Sequence, residues 1–223
     1  MVLAVSASLW AFLALAGEVR EGETTAFDRA ILLALRTPAD LATPVGPRWL
    51  QQTARDITAL GGYTVLALVT VLATVVLLMY GRRLQALIFA GGVVAAQALV
   101  EGLKALLGRA RPDLVPHGDL VYSHSFPSGH AAMTPVVYFT LAAILAAGTE
   151  RRSMRVLLLA VAAGLALAVG VSRVYLGVHW PTDVLAGWTL GAAIAVAASF
   201  ALYRTAPVRG PGAPVAPDAP GTD

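Results

Sequence analysis

The sequence predicts an all-α integral membrane protein, a bundle of six transmembrane helices. Composition is the first reason: 57% of the 223 residues are hydrophobic, only 13% are charged, and the mean hydropathy is +0.72. Soluble domains carry about 25% charged residues, so an ordinary soluble domain is excluded. The second reason is that uncharged stretches of near-spanning length recur six times along the chain. A helix needs about 20 such residues to cross the hydrocarbon layer.

The six predicted spans follow the uncharged stretches and cover residues 1–17, 57–81, 84–100, 131–149, 156–172 and 184–203. The first stretch ends in small residues, as a signal peptide does. It lacks the basic segment that begins a signal peptide, and we therefore interpret it as a span.

A long polar segment, residues 18–56, separates the first two predicted spans. Within it, residues 26–36 have apolar side chains at helical spacing and end shortly before Pro38. This pattern predicts an interfacial helix that lies on the membrane. The sequence leaves open whether the segment only covers the bundle or controls substrate access.

The chain divides into one membrane domain over residues 1–205, which includes the segment 18–56, and a tail over residues 206–223. The tail is rich in Pro, Ala and Gly, a composition that predicts a disordered cytoplasmic tail. Cysteine is absent, which excludes disulfides and a cysteine nucleophile. A net charge of +3 is too small to indicate a nucleic acid partner.

Arginine placement indicates the orientation, because short cytoplasmic loops carry an excess of Lys and Arg. Three basic clusters fall on one side of a six-span chain: Arg82 and Arg83; Arg151, Arg152 and Arg155; Arg204 and Arg209. The long segment 18–56 on the opposite side also contains five arginines. We give the short, acid-poor loops more weight and predict that both termini are cytoplasmic in a bacterial inner membrane.

Polar residues collect on the opposite, outer face. Lys104, Arg111 and Arg173 all fall at span ends that the order of the spans brings to this face. Three cations at a lipid boundary are costly unless they bind a polyanion, and a phosphate fits. Ser128 and Gly129, just before a predicted helix, add a hydroxyl and backbone N–H groups at the positive end of the helix dipole.

Two histidines and an aspartate on the same face supply the remaining chemistry of phosphate-ester cleavage. His130 and His179 are of the type that serves as nucleophile and general acid. Asp183 follows His179 by four residues, across Pro181, and is therefore expected to accept a hydrogen bond from one imidazole nitrogen. The other nitrogen then carries the attacking lone pair.

These residues form three motifs that resemble the signature of the type 2 phosphatidic acid phosphatase (PAP2) superfamily, which also includes vanadium haloperoxidases. The motifs are Lys104-x6-Arg111-Pro112, Pro127-Ser128-Gly129-His130 and Ser172-Arg173-x5-His179-x3-Asp183. The resemblance implies that His179 attacks phosphorus, that Asp183 orients it and that His130 protonates the leaving group. It also implies phosphate binding by Lys104, Arg111, Ser128, Gly129 and Arg173, without a metal or another cofactor.

Other polar residues near the motifs receive structural interpretations. His117 and His124 match no motif position and are expected to be solvated, and Asp113 and Asp119 are expected to serve loop turns. Glu101, one helical turn before Lys104, is expected to pair with it. Arg109 is not assigned to the site.

Three functions remain open at this level. A lipid-phosphate phosphatase and a lipid phosphotransferase would use the same residues and differ only in the acceptor. A non-enzymatic anion-binding or transport membrane protein is the third and least favoured. Transporters place charges near the bilayer midplane, whereas these charges lie at span ends. The expected partners are a lipid phosphate and the bilayer, and neither the lipid nor the oligomeric state is defined.

Overall fold

The computed structural model describes residues 1–119, 121 and 123–205. The described part forms eight helices and two short strands: α1 (Val2–Glu21), α2 (Thr25–Ala34), β1 (Arg36–Thr37), β2 (Asp40–Pro44), α3 (Arg48–Ala59), α4 (Tyr63–Met79), α5 (Arg83–Leu107), α6 (Gly129–Ala147), α7 (Arg152–Tyr175) and α8 (Pro181–Thr205). The predicted tail, residues 206–223, lies outside the described residues.

The all-α membrane fold is confirmed, with one change in the second span. Five helices, α1, α5, α6, α7 and α8, are each long and apolar enough to cross a membrane. Helix α4 has 17 residues, and it qualifies as a sixth span only together with α3, across a bend of 42°. The predicted stretch 57–81 is thus interrupted near Gly61 and Gly62. Glycine is a poor helix former and permits a break here, where Gly61 packs closely against α7.

The segment between α1 and α4 is more structured than the sequence predicted. The expected helix is confirmed as α2, and its side chains Asp28 and Leu32 are buried against the bundle. After it, β1 and β2 form a small antiparallel hairpin. This hairpin was not predicted, because a two-residue strand is too short to show a period of two. That α2 lies at the membrane surface stays a prediction.

Helices α6 and α8 approach each other closely through glycines on α8. A Cβ atom on Gly191 would lie 2.3 Å from the carbonyl oxygen of Ala132, and one on Gly187 would lie 2.7 Å from that of Ser128. Any side chain at these two positions would therefore push the helices apart. Because these two residues have no side chain, the beginning of α6 packs directly against the beginning of α8.

The ends of the helices bring the three motifs to one end of the bundle. Helix α5 ends at Leu107 and is capped by Gly108 in the left-handed conformation. Helix α6 begins after Ser128, whose Oγ accepts from Ala131 N as an N-cap. Helix α7 ends at Tyr175, six residues before Pro181 opens α8. The predicted common face of the motifs is therefore present in the fold.

Candidate active site

A cavity of about 800 Å³ opens at the end of the bundle where the motifs meet. Its polar end is lined by Lys104, Arg111, Gly129, His130, Arg173 and His179. The rest of its wall comes largely from apolar side chains of α4 and α5, among them Leu66, Val71, Val93 and Val94. The cavity thus joins a cationic end to an apolar groove.

His179 is held against Asp183 by the turn that starts α8. Its Nδ1 lies 3.3 Å from Asp183 Oδ2, and both side chains are buried. Asp183 Oδ2 also accepts from Trp180 N at 2.9 Å and from Ser125 Oγ. These donors fix the carboxylate on the Nδ1 side of the imidazole.

The other ring nitrogen of His179 faces the cations. Arg111 Nη1 lies 3.1 Å from His179 Nε2. A guanidinium is always a donor, so Nε2 is assigned as the acceptor and Nδ1 as the protonated nitrogen. Burial lowers the pKa of His179 to about 3, and the opposing influence of Asp183 does not outweigh it. The imidazole is therefore neutral at pH 7, with its lone pair on Nε2.

Arg111 is oriented by backbone carbonyls. Its Nε donates to Ser123 O at 2.8 Å and its Nη1 donates to Val178 O at 2.7 Å. Burial, with a smaller contribution from the like charge of Arg173, lowers the pKa of Arg111 to about 10. The guanidinium consequently stays charged at neutral pH.

Lys104 and Arg173 complete the cationic end, and both are buried. Lys104 Nζ donates to Ser123 Oγ at 2.9 Å and to His124 O at 3.2 Å. Arg173 Nη1 donates to Thr58 Oγ1 at 3.0 Å and to Asp119 Oδ2 at 2.6 Å. Among the described residues, the buried Arg173 Nε has no hydrogen-bond partner. An anion in the cavity would supply an acceptor for such a donor.

Arg109 forms a second layer behind the histidine and aspartate. Its Nη2 donates to Asp28 Oδ2 at 2.6 Å, and its Nη1 donates to Asp183 Oδ1 and, at 2.8 Å, to Thr182 Oγ1. Asp28 also accepts from Thr182 N at 2.9 Å. Through Arg109, helix α2 is thus linked to the carboxylate beside His179.

A family model of the PAP2 superfamily matches residues 85–206, which contain all the side chains of the cationic end and both histidines of the cavity. The chain belongs to the PAP2 superfamily. It is 33% identical over 183 residues to phosphatidylglycerophosphatase B of Bacillus subtilis, covering 81% of this chain and 85% of that protein. It is also 33% identical over 149 residues to decaprenylphosphoryl-5-phosphoribose phosphatase of Mycobacterium tuberculosis, covering 64% of this chain and 75% of that one.

A solved PAP2 structure has the same architecture. The transmembrane PAP2-type phosphatidylglycerolphosphate phosphatase of Bacillus subtilis superposes with a TM-score of 0.80 at 28% identity, covering 92% of this chain and 98% of that chain. The likeness therefore includes the segment between α1 and α4 as well as the PAP2 motifs.

The eight candidate site residues that belong to the PAP2 motifs occupy two layers. Six of them line the cavity: Lys104, Arg111, Gly129, His130, Arg173 and His179. Ser128 and Asp183 lie behind this lining and are completely buried. Ser128 caps α6. This contact orients the helix N-terminus towards the cavity, so Ser128 is expected to act on a phosphate through the helix rather than directly.

Two interpretations of residues outside the PAP2 motif positions, those of Asp119 and Glu101, need correction, and the unassigned Arg109 gains a role. Arg109 binds carboxylates within the protein, and Asp119 pairs with Arg173 instead of serving only a turn. Glu101 does not pair with Lys104 within the described residues; its Oε1 accepts from Gln97 Nε2 at 3.1 Å. Sequence spacing gave no signal for these contacts, because Arg109 and Asp28 are 81 residues apart.

The remaining histidines are outside the cavity lining. His117 is exposed, with Nε2 2.7 Å from Pro112 O, and His124 is exposed as well. No group of three or more His, Cys, Asp or Glu in the described part of the chain is arranged to hold a metal ion.

Proposed function

We propose that this PAP2 protein is a membrane lipid-phosphate phosphatase that cleaves a phosphomonoester or diphosphate through a phosphohistidine intermediate. The observation that carries the proposal is the contact of Arg111 Nη1 with His179 Nε2 at 3.1 Å. It leaves a neutral nucleophilic nitrogen beside a cation at the end of a cavity that can bind the transferring phosphoryl group.

In the first step, the phosphoryl group lies among Lys104, Arg111 and Arg173. The cations neutralise the charge that develops on its oxygens. His179 Nε2 attacks phosphorus, a P–N bond forms, and the P–O bond to the leaving group breaks. His130 takes up a proton when the anionic phosphate binds beside it, and it gives this proton to the leaving oxygen. Asp183 stabilises the charge that His179 gains.

In the second step, water attacks the phosphohistidine. His130, now neutral, accepts a proton from the water as its oxygen bonds to phosphorus. The P–N bond breaks, inorganic phosphate is released, and His179 regains its lone pair on Nε2. Both histidines return to their starting protonation states, so the cycle is balanced.

The apolar part of the cavity supports a lipid as the substrate. This apolar wall is formed by side chains of α4 and α5. Both helices are also part of the membrane-spanning bundle. A lipid can keep its tails in the bilayer while its phosphate reaches the cationic end, because both parts of the cavity are continuous.

Phosphate release tests this proposal. Purified protein in detergent is incubated with phosphatidylglycerol phosphate, phosphatidate and undecaprenyl diphosphate, and inorganic phosphate is measured. The wild type should release phosphate from at least one lipid, and His179→Ala from none. Equal release by both proteins would contradict the mechanism. An added alcohol that becomes phosphorylated at the expense of phosphate release would identify a phosphotransferase instead.

We also propose that the cavity faces the outside of a bacterial inner membrane and that both termini are cytoplasmic. The basic clusters in the short loops support this orientation. The chain has no cysteine, so single cysteines report topology directly. His117→Cys should react with a membrane-impermeant thiol reagent in intact cells or spheroplasts, and Arg152→Cys should react only after lysis. The opposite pattern would reverse the orientation.

A further inference from the structure

A buried arginine that belongs to none of the PAP2 motifs, Arg36, lies beside the connection between α7 and α8. The residue is only 3% exposed. Among the described residues it forms no ion pair. An arginine stays charged in proteins, and a buried charge without a counter-charge is costly. Its position therefore indicates a specific role for the guanidinium.

Backbone carbonyls take the place of a counter-charge. Arg36 Nη1 donates to Leu35 O and to Tyr175 O, each at 3.0 Å. Tyr175 is the last residue of α7. The last carbonyls of a helix have no partner within it and form the negative end of its dipole. Arg36 thus caps the C-terminus of the helix that carries Arg173.

The turn after α7 also passes close to this guanidinium. Gly177 has a φ of 73°, a conformation that favours glycine. A Cβ atom at this position would lie 2.7 Å from Arg36 Nη2. The next two residues belong to the active site, because Val178 O accepts from Arg111 Nη1 at 2.7 Å and His179 is the candidate nucleophile. Arg36 therefore supports the backbone from which His179 projects.

The hairpin of β1 and β2 holds the same connection at a second point. Tyr175 Oη donates to Val45 O at 2.8 Å, and Val45 N donates to Leu35 O at 3.0 Å. Tyr175 is thus bound through its side chain as well as through its carbonyl. Because Arg36 opens β1 and Val45 follows β2, the hairpin and the end of α7 form one hydrogen-bonded unit.

We propose that Arg36 is a positioning residue for the phosphatase reaction proposed above, on which this role depends. By holding Tyr175 O and the turn at Gly177, it keeps His179 Nε2 aligned for attack, 3.1 Å from Arg111 Nη1. Arg36 lies outside the cavity lining that the described residues form, so it acts on the substrate only through this backbone. The segment between α1 and α4, whose role the sequence leaves open, then contributes to the alignment of the nucleophile.

Inhibition constants test this role, because vanadate imitates the transition state whereas inorganic phosphate imitates the bound ground state. Wild type, Arg36→Met and Arg36→Lys are purified in detergent and assayed on phosphatidylglycerol phosphate, phosphatidate and undecaprenyl diphosphate. In Arg36→Met, kcat should fall about 10- to 100-fold on every lipid that the wild type cleaves, the effect of a small misplacement of a reacting group. The vanadate Ki should rise by a similar factor. KM and the phosphate Ki should stay unchanged, because Arg111 keeps its contact with Ser123 O.

A merely structural role of Arg36 would give a different pattern. Partial unfolding lowers the amount of active enzyme and hence kcat, but it leaves the vanadate Ki of the folded molecules unchanged. Arg36→Lys keeps the charge without the planar contacts, so it should show the same changes at smaller size. It provides the test if Arg36→Met does not fold. Arg29→Met is the matched control, because this arginine is exposed on α2, and it should leave every constant unchanged.

The outcomes separate this role from the function on which it depends. Unchanged kcat and vanadate Ki in both Arg36 variants would overturn the positioning role. A lower kcat with an unchanged vanadate Ki would overturn it as well. A wild type that cleaves none of the three lipids, or that vanadate does not inhibit, would instead contradict the proposed phosphatase function and its phosphohistidine intermediate.

Discussion

The guanidinium of Arg109 binds the Asp183 oxygen that does not face His179. Arg109 Nη1 donates to Oδ1, whereas Oδ2 lies 3.3 Å from His179 Nδ1. Asp28 holds the other end of the guanidinium at 2.6 Å. The carboxylate beside the His179 imidazole is therefore held in place by a residue of α2, outside the part of the chain that contains the motifs.

Loss of the contacts that join Asp28, Arg109 and Asp183 should slow the chemical step. In Arg109→Lys the planar guanidinium that donates to both Asp183 and Asp28 is lost, and in Asp28→Asn the guanidinium loses the carboxylate that holds its other end, so in both variants Asp183 and the imidazole are less well aligned. Misplacement by about 1 Å can cost about 100-fold, so we expect a fall of this order in kcat with little change in KM. Steady-state kinetics measure it. A rise in KM alone would mean that Arg109 acts on substrate binding and not on alignment.

The two histidines should fail in different ways. His179→Ala should have no measurable turnover, because the nucleophile is lost. His130→Ala should lose about 10²- to 10⁴-fold, the usual contribution of a general acid. An activated ester with a nitrophenol leaving group needs no proton, and it should recover much of the His130→Ala loss and none of the His179→Ala loss. Equal recovery of activity in the two variants would show that these roles are wrongly assigned. His117→Ala is the control outside the cavity.

Lysine should not replace Arg111 or Arg173. Arg111 uses Nε and Nη1 for two backbone carbonyls while it also contacts His179 Nε2. An ammonium keeps the charge but cannot reproduce this planar arrangement. We expect kcat/KM to fall at least tenfold in Arg111→Lys and in Arg173→Lys, and to stay constant in the exposed control Arg29→Lys. Wild-type kinetics in either cavity variant would show that only charge is required there.

Acid should destabilise the fold through His179. Its pKa is lowered to about 3 in the folded protein, against 6.5 for an ordinary histidine. Between these values the unfolded chain binds a proton that the folded chain excludes, so stability falls as the pH falls below 6.5. The full effect is about 1.4 kcal/mol per pH unit. Thermal inactivation in detergent between pH 7 and 5 measures it. His179→Gln should reduce the slope of the pH dependence relative to the wild type, and an unchanged slope would exclude His179 as a cause.

Chelators should leave turnover intact, and vanadate should inhibit it. Lys104, Arg111 and Arg173 provide the positive charge that a metal supplies in other phosphatases. Vanadate can adopt the five-coordinate geometry of the transition state, with His179 as its apical ligand, and should bind more tightly than phosphate. Phosphate release is measured in EDTA with and without Mg²⁺, followed by a vanadate titration. Activity that is lost in EDTA and restored by Mg²⁺ would contradict this assignment.

The parts of the site that sequence predicted are those with local spacing. The turn from His179 to Asp183 depends on five consecutive positions, and the common face of the motifs follows from the order of the spans. The contacts of Asp28 with Arg109 and of Asp119 with Arg173 join distant positions through loop and helix packing. No periodicity encodes such pairs, so they became visible only in the folded chain.

The fold shows the same difference between local features, which the sequence predicts, and contacts between distant positions, which it does not. Long apolar stretches predicted the membrane helices, since each stretch reports its own length and composition. The break near Gly61 was missed because the stretch around it is uncharged. A Cβ atom on Gly61 would lie 2.4 Å from Val169 Cγ1, so the break depends on packing against α7, which a linear pattern does not contain.

The glycine contact between α6 and α8 also determines which parts of the molecule can move. Gly187 and Gly191 bring the two helices that carry His130 and Asp183 so close that neither can slide or rotate without a collision. Helix α4, on the other wall of the cavity, has three buried residues, whereas α6 has ten. We therefore expect lipid exchange to move the less buried wall formed by α4 rather than the closely packed pair of α6 and α8. Its rate should then depend more strongly on the fluidity of the surrounding bilayer than the chemical step does.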